Sequence, residues 1–142
     1  MDLNIQQAGG NITEFRNRNK IIILVVEDDE VSYILIREIL NSMGMTTVRA
    51  TSKDEVLKLV NTKNDFRLIV MDVFLNGSDN GYAIANELSD RKVDLPIMIV
   101  SAFTTSVYLP ERRILNNIKE VMDKPFDISN FKELLLKTLK VK

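Results

Sequence analysis

The stretch LIVMDVFL, residues 68–75, decides how the rest of the sequence is interpreted. Its first four residues are apolar and lead directly into Asp72, which further apolar residues follow. An uninterrupted apolar run of this length is typical of a strand buried on both faces, at the centre of a parallel sheet. A carboxylate at the end of such a strand is costly unless its charge is used. The sequence therefore predicts a functional role for Asp72.

The composition narrows the chemistry available to the chain. The 142 residues include no cysteine and no histidine, and the formal net charge is −1. A Ser-His-Asp triad and a zinc site with histidine or cysteine ligands are therefore excluded. The small net charge gives no indication of binding to nucleic acid or to an anionic membrane, and no apolar run could span a bilayer. We expect a cytoplasmic protein whose chemistry uses carboxylates, hydroxyls, lysines and backbone groups.

Apolar runs of strand length alternate with segments of helical spacing. The predicted strands cover residues 21–26, 46–50, 67–71, 96–100 and 118–122. The predicted helices cover residues 31–43, a segment opened by a capping box at 52–55, residues 82–88, about 110–115, and a segment capped by Asp127. Such alternation with short connections predicts an α/β fold, a parallel sheet covered on both faces. We expect residues 1–19 to be a flexible polar lead and residues 20–142 to form one domain.

The first predicted helix has a clear apolar pattern. Its apolar residues at roughly common spacing are Val31, Ile34, Leu35, Ile39 and Leu40. This spacing predicts that the five share roughly one face of the helix. A glycine at position 44 is expected to end the helix.

Polar side chains stand at the carboxyl ends of four predicted strands. Glu27 and Asp28 follow the first strand, Asp72 ends the third, and Ser101 and Lys124 follow the fourth and fifth. In a parallel sheet these ends share one edge, where ligands bind. Three carboxylates together favour a hard divalent cation, and oxygen ligands suit Mg²⁺. Lys124 and Ser101 would then hold the oxygens of an incoming phosphoryl group, with Asp72 as the nucleophile.

Each of these residues has an ordinary structural explanation when taken alone. The acidic run 27–30 suits the first turn of a helix, whose dipole favours negative charge. Ser101 and Lys124 are common polar residues for a strand end. Their joint occurrence at one sheet edge favours the functional interpretation.

From about Lys20 to Lys140, the sequence resembles the receiver domain of two-component response regulators. Four segments carry the resemblance: the acidic pair in ILVVEDDE (23–30), the phosphoacceptor strand in VMDVFL (70–75), the hydroxyl residue in VSA (100–102) and the lysine in DKPF (123–126). The resemblance implies a flavodoxin-like, doubly wound five-stranded parallel sheet of order 2-1-3-4-5 with five helices. It also implies a cis peptide bond before Pro125.

The resemblance further implies a phosphorelay. A phosphoryl group would pass, with Mg²⁺ as cofactor, from a histidine of a sensor histidine kinase or histidine phosphotransfer protein to Asp72. The metal ligands would be Asp28 and Asp72 directly, Glu27 through water, and the backbone carbonyl of Phe74. The domain would catalyse only its own phosphorylation and a slow dephosphorylation, because Phe74 and Phe103 flank the path of the hydrolytic water. It would not be an enzyme in any other sense.

Four positions depart from the family pattern. Glu27 replaces the commoner aspartate, Asn76 replaces a proline, Pro110 interrupts the fourth helix, and Val121 replaces the aromatic switch residue. Without that ring the usual coupling of phosphorylation to the surface cannot work in its standard form. This leaves open an alternative, a phosphorylation-independent receiver that acts as a protein-binding module.

Two other function classes are disfavoured by the position of the motifs. An aspartyl-phosphate hydrolase would have its nucleophile after the first strand, and a nucleotide or flavin binder needs a phosphate loop where residues 27–30 are acidic. The sequence ends at Lys142 directly after the last predicted helix, so we expect a stand-alone regulator or a receiver cut from a larger chain. Its output would be contact with a downstream protein target, with a phosphorylation-dependent homodimer left open and no direct contact with nucleic acid or membrane.

Overall fold

The computed structural model describes residues 20–63, 65–77, 79–102 and 116–139. Its elements in chain order are β1 Ile22–Val26, α1 Glu30–Ser42, β2 Thr46–Ala50, α2 Lys53–Thr62, β3 Phe66–Met71, α3 Gly81–Asp90, β4 Ile97–Ala102, β5 Ile118–Lys124 and α4 Ile128–Leu139. The predicted polar lead 1–19 and the predicted helix 110–115 lie outside the described residues. The described part therefore contains four of the five predicted helices.

All five strands form one parallel sheet of order β2-β1-β3-β4-β5. The strand that carries LIVM is at its centre, paired with β1 on one side and β4 on the other. The flavodoxin-like order and the central position of this strand, both predicted, are confirmed.

Helices cover the two faces of the sheet and make two cores. One core joins the sheet to α2 and α3, and the other joins it to α1 and α4. The apolar residues of β1, β3 and β4 alternate between the two cores, which explains why these strands are apolar on both sides. The sheet is thus packed on both faces, and this packing holds the residues at its carboxyl edge in place.

Local capping interactions fix where the helices begin. Asp29 caps α1 by accepting a hydrogen bond from the Ser32 N–H at 2.8 Å. Ser52 caps α2 as predicted, but the Glu55 carboxylate accepts from the N–H of Thr51 at 2.7 Å instead of closing the capping box on Ser52. Gly44 follows the last turn of α1 with a φ of +80°, a conformation that glycine adopts without strain.

The predicted apolar face of α1 is wrong in its first half. Val31 is 76% exposed, and Ile34 and Leu35 are 38% and 43% exposed. The buried residues of this helix are Ile36, Ile39 and Leu40. Only one stripe of a helix can face the sheet, and the spacing of those three defines it. The first turns of α1 therefore leave apolar side chains at the surface.

Two strands extend further at their carboxyl ends than predicted. β4 continues to Ala102, so Ser101 lies within the strand, and β5 continues to Lys124. The peptide bond between Lys124 and Pro125 is cis, as predicted. In the described part of the chain no helix is both long and apolar enough to cross a membrane.

Candidate functional site

The carboxyl edge of the sheet brings together all five side chains that the sequence singled out. Glu27 and Asp28 directly follow β1, and Asp72 directly follows β3. Ser101 is the penultimate residue of β4, and Lys124 is the last residue of β5. Glu27, Asp72 and Ser101 are buried, which is unusual for two carboxylates unless they have partners. Their surroundings supply those partners.

Both oxygens of the Asp72 carboxylate have partners. The hydroxyl of Ser101 donates to one oxygen, which also accepts the N–H of Phe74 at 3.3 Å. The ammonium of Lys124 donates to the other oxygen at 3.3 Å. Ser101 in turn accepts the N–H of Val73 at 3.3 Å, which fixes its rotamer. The carboxylate is thus held between a hydroxyl donor and a cation.

Lys124 has two further partners. Its ammonium lies 2.6 Å from Oε1 of Glu27 and 3.2 Å from the hydroxyl of Ser32. Ser32 is a member of the site that the sequence analysis missed. Only the tertiary structure shows it, because it brings the first turn of α1 to the end of β5, and a serine in a first helical turn carries no distinctive signal.

The protonation of the buried ion pair follows from opposing effects. Burial raises the pKa of Glu27 to about 7, although the hydrogen bond from Lys124 opposes that shift. Burial acts to lower the pKa of Lys124, but the Glu27 hydrogen bond and the Asp72 charge outweigh it, and the pKa is raised. Lys124 is therefore charged at neutral pH, and Glu27 is the member of the pair that takes up a proton as pH falls.

Three carboxylates of the site fit a divalent cation. Glu27, Asp28 and Asp72 each offer an oxygen, and these oxygens lie within 4.8 Å of one another. Asp28 is oriented by the N–H of Asn76, which donates to its Oδ2 at 2.7 Å. An all-oxygen set of this charge is the kind that Mg²⁺ prefers. Phe74, whose carbonyl was predicted as a ligand, lies in the same loop and contacts Asp72 through its N–H.

The loop between β3 and α3 is fixed at three points that the sequence did not reveal. Asp79 accepts the N–H of Lys53 at the start of α2, at 2.8 Å. Asn80 caps α3, accepting the Tyr82 N–H at 2.8 Å. Gly81 donates its N–H to the Val73 carbonyl at 2.8 Å. These contacts give the loop a defined path beside the carboxylates.

Val121 occupies the β5 position where the family pattern has an aromatic ring. It is partly buried and packs against the core that β5 shares with α3. Phe103, which was predicted to flank the path of the hydrolytic water, lies outside the described residues. The role of Val121 stays a prediction.

Comparison with protein families and curated proteins identifies relatives. The model of the response regulator receiver domain matches residues 23–136. The transcriptional regulatory protein ZraR of Salmonella typhimurium is 31% identical over 122 residues, which is 86% of this chain and 27% of that protein. The chain thus spans about a quarter of the length of the curated relatives it matches.

Solved structures show the same fold. NtrX from Brucella abortus is 25% identical with a TM-score of 0.73, over 84% of this chain and 27% of that one. The receiver domain of the sensor histidine kinase PA1611 from Pseudomonas aeruginosa, solved with a magnesium ion in its active site cleft, is 21% identical with a TM-score of 0.71, over 86% and 99%. With a family match over most of its length and this fold, the chain belongs to the response regulator receiver domain family.

Proposed function

We propose that this chain accepts a phosphoryl group on Asp72 from a phosphohistidine of a partner protein, in a step that requires Mg²⁺. One observation supports this most strongly. The Asp72 carboxylate is held by Ser101 and Lys124, while Glu27 and Asp28 place their oxygens within 4.8 Å of its own. A nucleophile, a cation, a hydroxyl donor and a metal ligand set therefore converge on one point.

The chain's own groups account for the transfer. An oxygen of Asp72 attacks phosphorus, the P–O bond forms, and the P–N bond to the donor imidazole breaks with its electron pair returning to nitrogen. The ammonium of Lys124 shifts from the carboxylate towards a phosphoryl oxygen and neutralises it. The hydroxyl of Ser101 turns to donate to another phosphoryl oxygen. Asp28 and Asp72 would hold Mg²⁺ directly and Glu27 would hold it through water. The ion would neutralise negative charge on the phosphoryl group.

The intact mass of the protein tests this proposal. Incubation with Mg²⁺ and acetyl phosphate should add one phosphoryl group to the wild-type chain. The Asp72→Asn variant should gain none, and neither should the wild type in EDTA. No added mass in any wild-type sample would overturn the proposal and favour a phosphorylation-independent binding module, for which the substitution at Val121 is the supporting observation.

An apolar groove beside the site supports the proposal that the phosphoryl donor is a protein. It has a volume of about 290 Å³. Its lining residues are Val31, Ser32, Leu35, Lys124, Pro125 and Phe126. Because Lys124 lines the groove and also contacts Asp72, a protein that brings a phosphohistidine to Asp72 would lie next to this groove. The exposed Val31 and Leu35 then provide apolar area for a helix of a histidine kinase or histidine phosphotransfer protein.

A pair of variants tests the groove. Val31→Asp should slow transfer from an autophosphorylated histidine kinase that phosphorylates the wild-type chain. Transfer from acetyl phosphate should stay unchanged, because this small donor needs no docking surface. Leu136→Asp is the matched control, since Leu136 is 43% exposed on α4 and does not line the groove. Equal slowing by both variants, or slowing with acetyl phosphate, would contradict a docking role.

We further propose that catalysis is confined to this self-modification and its reversal. Asp72 follows the third strand of the sheet, and position +2 from it is Phe74, which has no acid or base to offer an ester substrate. Hydrolysis of a phosphomonoester such as p-nitrophenyl phosphate with turnover would contradict this. We also propose that the phosphorylated chain binds a downstream protein target or a second copy of itself. Association measurements with and without the phosphoryl group test this.

A further inference from the structure

The side chain of Arg49, on β2, reaches across to the loop that carries the acidic pair. Its Nε donates to the backbone carbonyl of Glu27 at 3.0 Å. Its Nη1 lies 2.7 Å from the carboxylate of Glu30. The guanidinium lies over the ring of Tyr33, with 4.4 Å between Cζ and the ring centroid. Three different groups therefore hold this arginine in one position.

The backbone of Glu27 is held on both sides by the end of β2. Its N–H donates to the carbonyl of Ala50 at 3.0 Å, and its carbonyl accepts from Arg49. These two bonds fix the peptide groups before and after the Glu27 α-carbon. The direction of the side chain follows from that, and it ends 2.6 Å from Lys124.

We infer that Arg49 is a positioning residue of the metal and phosphoryl site, which acts through the Glu27 carbonyl. It sets the strand-to-loop turn that aims Glu27 at Lys124 and places Asp28 beside Asp72. This inference rests on the proposed function, because it assigns Arg49 to the same Mg²⁺ site.

A positioning role and a purely electrostatic role of Arg49 predict opposite changes in Mg²⁺ affinity when Arg49 is removed. The inference can therefore be tested. Arg49 is a cation next to a site for a cation. By charge alone, its loss should strengthen Mg²⁺ binding, whereas loss of Glu30 should weaken it slightly. If Arg49 acts by positioning, its loss should weaken Mg²⁺ binding in spite of the gain in negative charge.

The experiment is calorimetric titration of the full chain with Mg²⁺. We expect Arg49→Met to weaken the affinity about tenfold, as is usual for groups that orient metal ligands. Glu30→Gln removes the ion pair, and Tyr33→Leu removes the ring together with its hydroxyl, which lies 3.4 Å from Oγ1 of Thr47. Both variants leave the contact between Arg49 and the Glu27 carbonyl, so both should bind Mg²⁺ within about twofold of the wild type. Arg49→Lys keeps the charge without the Nε donor and should resemble Arg49→Met.

Thermal unfolding of the same variants separates positioning from general stability. Comparable losses of Tm in Arg49→Met and Tyr33→Leu, with weakened Mg²⁺ binding only in the former, would support the inference. Unchanged or tighter Mg²⁺ binding by a folded Arg49→Met would overturn it, as would equal weakening in Tyr33→Leu. If the wild type binds Mg²⁺ and the Arg49 variants differ as expected, but no phosphoryl group is ever accepted, the proposed function fails while the positioning role stands.

Discussion

Lys124 places its ammonium 2.6 Å from Oε1 of Glu27, across 97 residues of sequence. The side chain of Glu27 is 1% exposed, so its carboxylate is almost completely shielded from solvent. A buried ion pair of this kind contributes little net stability, because desolvation offsets the attraction. The pair holds Lys124 next to Asp72, where the proposed transfer would need a positive charge for a phosphoryl oxygen.

The stability of the metal-free protein should depend on the protonation of Glu27. Its pKa is raised from 4.5 to about 7 on folding, so the folded state binds this proton more tightly than the unfolded state. The resulting stabilisation is fully present below pH 4.5 and is lost as pH rises through 7. We expect the wild type in EDTA to lose roughly 1–3 kcal/mol more than Glu27→Gln between pH 4.5 and pH 8.

Urea unfolding at several pH values measures this difference. The Gln variant does not titrate at position 27, so it removes the background from other carboxylates. A constant difference between the two proteins across the range would contradict the prediction. Saturating Mg²⁺ should reduce the loss, because the cation favours the ionised carboxylate.

Ser101 should matter for phosphoryl transfer more than for folding. Its hydroxyl donates to Asp72 and is positioned by the N–H of Val73. Ser101→Ala removes a donor to the phosphoryl oxygens, and we expect phosphorylation by acetyl phosphate to slow about a hundredfold. Ser101→Thr keeps the hydroxyl and should stay within about tenfold of the wild type. Equal rates for the alanine and wild-type proteins, measured by intact mass over time, would remove Ser101 from the mechanism.

Phe74 should slow the loss of the phosphoryl group. Its side chain is 48% exposed, so it is not packed into either core, and its backbone N–H contacts Asp72. Phe74→Asn should accelerate dephosphorylation several-fold, because the amide can bind a water that the ring excludes. Phe74→Leu, which is also apolar, should decay at nearly the wild-type rate. Identical decay of all three phosphoproteins after removal of acetyl phosphate would sink this idea.

Gly81 should be intolerant of any side chain. A β-carbon at this position would collide with the backbone carbonyl oxygen of Asp72 and would crowd the α-carbon of Val73. Because both neighbours are backbone, Gly81→Ala must displace α3 or the loop that follows Asp72, and we expect a loss of roughly 2–3 kcal/mol. Gly77→Ala is the control, since its β-carbon would meet nothing within 4 Å and only its φ of +74° opposes alanine.

Chemical denaturation compares these two glycine variants directly. The control should lose about 1–2 kcal/mol, the cost of a left-handed backbone for alanine. A smaller loss in Gly81→Ala than in Gly77→Ala would show that the close approach of α3 to Asp72 carries no strain. We also expect slower phosphorylation of Gly81→Ala, because the collision moves the residue that accepts the group.

The sequence alone predicted the sheet and the residues that meet at its edge. The apolar runs of β1, β3 and β4 are buried on both faces, and such runs are distinctive in any sequence. Asp72 stood out because it directly follows the apolar run of β3 and is itself followed by apolar residues. Once strands alternate with helices, the carboxyl ends must share one edge, so Glu27 and Lys124 could be assigned to the same site without coordinates.

The tertiary structure decided what depends on the direction of side chains. Val31 and Leu35 have core-like spacing but are exposed, because the crossing of α1 over the sheet selects a different stripe. The contacts of Ser32 with Lys124 and of Arg49 with Glu27 join separate elements and are set by packing distances. Hydrophobic periodicity reports which face of a segment is buried, but only the packed structure fixes which polar groups come within hydrogen-bond distance.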